Sequence, residues 1–148
     1  MATRPQTIAP NAAVFVPGGT GAKRPTVLVV DDSPEFLELA CLLVEKSDMA
    51  DVVSTAGDGA EAIRAVLQHH PDVILMDVEM PRMNGLVACA ILSLAFSRVK
   101  VVLMSAENTP GMRTQCRESG AHAFLNKATL TEDLSLLLED LDAPRPRS

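Results

Sequence analysis

The sequence contains no tryptophan and no tyrosine, and only four of its 148 residues are phenylalanine. A hydrophobic core built from this chain must therefore be mainly aliphatic. No apolar run approaches the roughly 20 residues needed to cross a bilayer. The one apolar segment near the N-terminus, residues 12–16, is too short for a signal peptide. We therefore expect a cytoplasmic protein without a membrane span.

Cysteines and basic residues are also scarce. The three cysteines, Cys41, Cys89 and Cys116, are odd in number, widely spaced and free of any CxxC motif, which argues against a disulfide framework and a zinc site. The chain has 13 Lys and Arg against 19 Asp and Glu, a net charge of −6. Such an acidic chain is poorly suited to bind phosphate backbones, so direct nucleic-acid binding is not expected.

Five strand signals alternate with five helix signals between the two ends of the chain. The ends are rich in Pro, Gly and small residues, which predicts a flexible extension at 1–24 and a flexible tail at 143–148 around one domain at 25–142. Five βα units predict an α/β domain with a parallel sheet and helices on both faces. The strands are predicted at about 26–31, 51–55, 72–76, 99–104 and 122–126.

Polar side chains follow four of these strands at the points where the strands end. Asp31 and Asp32 follow the first strand, Asp77 the third, Ser105 the fourth and Lys127 the fifth. The carboxyl ends of parallel strands form the edge of the sheet where ligands bind. Carboxylates crowded at that edge repel one another unless a cation joins them. The pattern therefore predicts a divalent metal and an anionic ligand.

Four segments, VLVVDDSPEF, VILMDVEMPRMNG, VVLMSAE and AFLNKA, occur in this order along the chain. Together they resemble the receiver domain of two-component response regulators, over residues 26–142. The resemblance implies a flavodoxin-like (βα)5 fold, a five-stranded parallel sheet in the order 2-1-3-4-5. Because no second domain follows in the sequence, we expect a stand-alone receiver of the chemotaxis type.

The resemblance implies a role for each acid at the sheet edge. Asp77 matches the phosphoacceptor, a carboxylate that attacks phosphorus to give an acyl phosphate. Asp31, Asp32, Asp77 and the backbone carbonyl of Glu79 match the ligands of Mg²⁺, which Mn²⁺ could replace. Simpler interpretations exist locally, since Asp77 could cap a turn. Asp32 could likewise cap the next helix, unless Ser33 does so.

Three further positions match groups that handle the phosphoryl oxygens or respond to them. Lys127 and the Ser105 hydroxyl are implied to contact those oxygens and stabilise the charge of phosphoryl transfer. The small Ala106 leaves a path for a bulky phosphodonor. Phe124 matches the aromatic that changes rotamer with the hydroxyl, but an ordinary core phenylalanine is an equally good interpretation. Lysines in general are most often solvated at the surface.

Two features depart from the family pattern. Ala128 follows Lys127 where the family usually has proline, often after a cis peptide bond. A cis bond without proline costs about 3–4 kcal/mol, so a trans bond and a differently shaped loop are expected. Glu79 and Glu107 stand at variable positions that influence the lifetime of the acyl phosphate. These acids could repel anionic donors or orient a hydrolytic water, and both alternatives stay open.

The function implied by the resemblance is signal transfer in a phosphorelay. The chain would accept a phosphoryl group on Asp77 from a histidine kinase or a histidine phosphotransfer protein, with Mg²⁺, and lose it slowly by self-dephosphorylation. The phosphorylated state would change the affinity for a separate output protein, without conventional enzyme turnover. One alternative is an adaptor of the same fold that works without phosphorylation. A phosphohydrolase of the haloacid dehalogenase type is disfavoured, because it needs an Asp where Glu79 stands.

Overall fold

The computed structural model describes residues 24–142, so most of the expected extension and the tail at 143–148 lie outside the described residues. Arg24 is described, and its guanidinium pairs with Asp48 at 3.0 Å and Asp51 at 3.4 Å. The strands are β1 Thr26–Val30, β2 Asp51–Ala56, β3 Val73–Asp77, β4 Lys100–Ser105 and β5 Ala123–Asn126. The helices are α1 Pro34–Ser47, α2 Gly59–His69, α3 Gly85–Ala95, α4 Pro110–Glu118 and α5 Leu130–Asp142, with a 3-10 turn at Lys127–Thr129.

The five strands form one parallel sheet in the order β2-β1-β3-β4-β5, which confirms the predicted fold. Most of the predicted strand ends differ by one residue from the ends in the structure. One displacement matters, because Asp77 and Ser105 are the last residues of β3 and β4 rather than the first residues of the loops that follow. The sheet hydrogen bonding therefore holds their backbones in place.

Alternation along the strands divides the interior into two aliphatic cores, one on each face of the sheet. Leu28, Val30, Ile74 and Met76 face α2, α3 and α4, while Val27, Val29, Val73 and Leu75 face α1 and α5. All eight side chains are fully or almost fully buried. Both faces are covered, which is the reason these strands appear in sequence as continuous apolar runs rather than as alternating ones.

The helices on both faces begin close to the carboxyl edge of the sheet, and side-chain caps define their first turns. Ser33 caps α1 by accepting a hydrogen bond from the Phe36 N–H, and Asn84 caps α3 in the same way. Since Ser33 caps α1, the alternative role of Asp32 as the helix cap is wrong. The carboxylate of Asp32 therefore remains available at the sheet edge.

The state of the cysteines and the lengths of the helices can be compared with what the sequence predicts. Cys41, Cys89 and Cys116 are free thiols on α1, α3 and α4; the last two are buried and Cys41 is partly exposed. Within residues 24–142, none of the helices has the length and apolar character that crossing a bilayer requires.

Candidate functional site

Three carboxylates meet at the carboxyl edge of the sheet. Asp31 directly follows β1, Asp32 is the next residue, and Asp77 ends the neighbouring strand β3. One oxygen from each lies within 4.8 Å of the others. Asp31 and Asp77 are almost completely buried, at 1% and 3% exposure, whereas Asp32 is exposed. The cluster thus joins two desolvated acids to one that faces the solvent.

Lys127 lies directly against the two buried acids. Its Nζ is 2.7 Å from Asp31 Oδ2 and 3.1 Å from Asp77 Oδ1, and it also lies 4.2 Å from the centroid of the Phe36 ring. Burial acts to lower the pKa of Lys127, but the two carboxylates outweigh it and the pKa ends above its ordinary value. The ammonium therefore stays charged in the site.

The pKa of Asp77 is strongly raised by its surroundings in this cluster. Burial first, and then the nearby charge of Asp31, raise its pKa from 3.8 to about 6, although Lys127 acts in the opposite direction. Each effect that raises the pKa penalises the ionised carboxylate. A second cation in the cluster would relieve that penalty, so the site favours metal binding on electrostatic grounds.

The donor atoms of the cluster fit a magnesium ion. Asp31 Oδ2 and Asp77 Oδ1 are buried, and each is paired by charge with Lys127 but has no hydrogen bond of good geometry. Mg²⁺ binds carboxylate oxygens at about 2.0–2.1 Å, so ligand oxygens around it lie no more than about 4.2 Å apart. In the structure the three ligand oxygens lie within 4.8 Å of one another, which is close to that limit.

The loop between β3 and α3 depends on a glycine at the start of the helix. The Gly85 N–H donates to Val78 O at 2.8 Å, and a Cβ on Gly85 would lie 2.2 Å from Asp77 O. The chain therefore folds back tightly on the backbone of the candidate phosphoacceptor. The NG of the segment MPRMNG in the sequence is the local signal of this turn.

An ion pair that the sequence did not reveal joins this loop to α2. Asp58 caps α2 and is buried, and it pairs with Arg82, whose Nε donates to Asp58 Oδ2 at 3.0 Å. Backbone hydrogen bonds and Arg82 lower the pKa of Asp58 below its ordinary value. Arg82 also adopts a left-handed backbone conformation, φ 64°. Only the N-cap role of Asp58 has a local sequence signal, because its partner is 24 residues away.

The Ser105 hydroxyl is buried and hydrogen-bonds to Glu79 and Glu107. It accepts a hydrogen bond from the Glu107 N–H at 3.0 Å and donates to the Glu79 carboxylate, 3.3 Å from Oε2 and 3.4 Å from Oε1. Ser105 thus lies beside the acidic cluster with its proton directed to Glu79. The sequence could place Ser105 at the sheet edge but not set the direction of its hydroxyl.

The remaining predicted positions surround the site. Ala106 and Glu107 are exposed next to Ser105, and Phe124 is partly buried against the core on the α2–α4 side. The described residues contain no cis peptide bond, so the bond between Lys127 and Ala128 is trans, as expected. The Ala128 N–H donates to Asn126 Oδ1 at 3.0 Å, a contact that proline could not make.

Comparisons with known proteins agree with this fold. A family model for the response regulator receiver domain matches residues 27–139. The chain is 36% identical over 104 residues to a protein-glutamate methylesterase/protein-glutamine glutaminase of Nitratidesulfovibrio vulgaris, which is 69% of this chain and 28% of that protein. It is 38% identical over 115 residues to a probable transcriptional regulatory protein NarL of Mycobacterium tuberculosis, covering 76% of this chain and 53% of that protein.

Solved structures give the same assignment. The signal receiver domain of the response regulator NarL from Mycobacterium tuberculosis superposes with a TM-score of 0.77 and 31% identity, covering 84% of this chain and all of that one. The matched region spans about a quarter of the length of one of these curated relatives and about half of the other. The activities of those complete proteins are therefore not assigned to this chain. The match of the family model over most of the chain shows that it belongs to the response regulator receiver domain family of two-component signalling.

Proposed function

We propose that this receiver accepts a phosphoryl group on Asp77 from a histidine kinase or a histidine phosphotransfer protein, in a Mg²⁺-dependent reaction that switches partner binding. The observation that carries the proposal is the environment of Asp77. It is a buried carboxylate with a raised pKa, beside two further acids and directly against the Lys127 ammonium. A group that attacks phosphorus there works next to preorganised positive charge.

The protein side chains have distinct parts in the transfer. An oxygen of Asp77 forms the new P–O bond while the P–N bond to the donor imidazole breaks, and that imidazole leaves with the bonding electrons. Lys127, already 3.1 Å from Asp77 Oδ1, is placed to follow the transferred oxygens. Asp31, Asp32, Asp77 and the Glu79 carbonyl would hold Mg²⁺. When bound, this ion neutralises the charge of the carboxylates and phosphoryl oxygens.

Access and output follow from the surroundings of Asp77. The donor approaches past Ala106, which is small and exposed, while Asp32 and Glu79 make the rim acidic. We expect a donor with a basic contact surface, which such a rim attracts. The proposed output is a change in affinity for a separate protein at the face formed by α4, β5 and α5, since Phe124 lies on β5 and Ser105 ends the neighbouring strand β4.

Intact-mass spectrometry with a small phosphodonor tests the proposal. Phosphoramidate with Mg²⁺ is expected to add the mass of one phosphoryl group to the wild-type chain, and excess EDTA is expected to prevent it. Asp77→Asn abolishes the adduct, while Asp140→Asn, an exposed acid on α5, serves as the matched control and retains it. An unmodified wild-type protein with both phosphoramidate and acetyl phosphate would instead support the phosphorylation-independent adaptor.

A further inference from the structure

The Ser105 hydroxyl directs its single proton to the carboxylate of Glu79. Asp77 is in register with Met104, so Ser105, the next residue on β4, lies beside the phosphoacceptor. The Glu107 N–H donates to the hydroxyl oxygen from one side, and the hydroxyl donates to both oxygens of Glu79 on the other. A hydroxyl has one proton to donate. While Glu79 accepts it, a phosphoryl oxygen on Asp77 cannot.

We propose that Glu79 is a positioning residue that holds Ser105 in the unphosphorylated arrangement, so that the Glu79–Ser105 contact opposes the switch until Asp77 is phosphorylated. This inference rests on the proposed function, because it assigns a residue to the control of that same site. It concerns the resting conformation, not the attack on phosphorus.

Charge explains how phosphorylation would end the contact. The Glu79 carboxylate is near enough to Asp77 to contribute to its raised pKa. A phosphoryl group on Asp77 adds negative charge there, which repels Glu79 and attracts the proton of Ser105. Glu79 is exposed, so its carboxylate is rehydrated when it is released. The contact distances of 3.3 and 3.4 Å are those of a weak hydrogen bond, which a charged competitor displaces.

Two substitutions of Glu79 separate its hydrogen bond from its charge. Glu79→Gln keeps an oxygen that accepts from Ser105 but removes the charge, and Glu79→Ala removes both. With Mg²⁺ present, we expect beryllofluoride, a phosphoryl mimic, to bind Glu79→Ala about threefold to tenfold more tightly than Glu79→Gln. In a Ser105→Ala background the two variants should bind it equally, because the contact no longer exists. Isothermal titration calorimetry gives each dissociation constant.

The amide resonance of Glu107 in the unliganded protein gives a second, independent measurement, since this N–H donates to the Ser105 hydroxyl. Glu79→Ala is expected to move that resonance towards its beryllofluoride-loaded position, and Glu79→Gln to leave it near the wild-type position. Equal beryllofluoride affinities for the two variants, or a difference that persists with Ser105→Ala, would overturn the inference. If beryllofluoride binds neither the wild type nor the variants, but Glu79→Ala shifts the Glu107 amide resonance and Glu79→Gln does not, the proposed function fails and the Glu79–Ser105 contact stands.

Discussion

Asp77 combines two properties that seldom occur together in a carboxylate, because it is buried and yet has no hydrogen bond of good geometry at Oδ1. A surface aspartate would be ionised and hydrated at neutral pH. In the folded protein, burial and the neighbouring charge of Asp31 raise the pKa of Asp77 to about 6. The folded protein therefore holds an unfavourable negative charge above that pH, and a bound metal cation would relieve it.

This desolvation predicts a pH-dependent gain in stability for Asp77→Asn. The pKa of Asp77 rises from 3.8 to about 6 in the folded protein. At neutral pH this rise corresponds to a destabilisation of the folded state by the ionised carboxylate of about 3 kcal/mol. The folded state binds the proton more tightly, so the penalty is absent below about pH 4, grows as the pH rises to 6 and is complete above it. Without metal, Asp77→Asn should therefore raise the free energy of unfolding at pH 7.5 but hardly at pH 4.

Urea unfolding followed by circular dichroism measures this effect, since the chain has no tryptophan or tyrosine for fluorescence. Asp140→Asn is the matched control and should change stability by less than about 0.5 kcal/mol at either pH. Mg²⁺ should narrow the gap at pH 7.5 by stabilising the wild type alone. A gain that is the same at both pH values would contradict the raised pKa of Asp77.

At the scale of secondary-structure elements, the strands and the loops that follow them position the residues of the site. The continuous apolar runs predicted the strands because both faces of the sheet are covered, and the caps at Ser33 and Asn84 are local enough to be seen in sequence. The pair Asp58–Arg82 and the contact Glu79–Ser105 were not predictable, since each depends on how two separate loops meet and on side-chain direction.

Gly85 is the position where the loop after β3 tolerates no side chain. Gly85→Ala would place a Cβ 2.2 Å from Asp77 O, a backbone atom that cannot move without disturbing β3. We expect a loss of at least about 2 kcal/mol in the free energy of unfolding. Gly111→Ala is the matched control, because its Cβ would meet nothing closer than 3.9 Å and lies in α4, where alanine is favoured by roughly 0.5–1 kcal/mol. Urea titrations in which both variants change stability alike would contradict this interpretation of the loop.

Helix α3 carries apolar side chains on both its buried and its exposed sides. Leu92 is fully buried, whereas Leu94, two residues further, is 89% exposed. Leu92→Ala should cost about 2–5 kcal/mol through the cavity it leaves, and Leu94→Ala less than about 0.5 kcal/mol. Thermal and urea unfolding of the two variants, at several protein concentrations, check the difference. A large, concentration-dependent loss for Leu94→Ala would show that a second copy covers this side of the helix.

At the scale of the whole molecule, the family assignment agrees with the sequence motifs and with the order of the strands in the sheet. The parallel sheet was predicted from the five βα units and the strand order from the resemblance, and the structure confirms both. The motifs could not supply the pairing of the side chains within the site. Lys127 pairs with Asp31 and Asp77, and the Ser105 hydroxyl donates to Glu79.

The most direct test of the account identifies the residue that carries the phosphoryl group. After treatment with phosphoramidate and Mg²⁺, borohydride reduces an acyl phosphate to the alcohol, so a phosphorylated aspartate becomes homoserine in the peptide map. The account predicts homoserine at position 77 alone, only when Mg²⁺ is present. Homoserine at Asp31 or Asp32 instead, or none at any position in a protein that binds Mg²⁺, would contradict it.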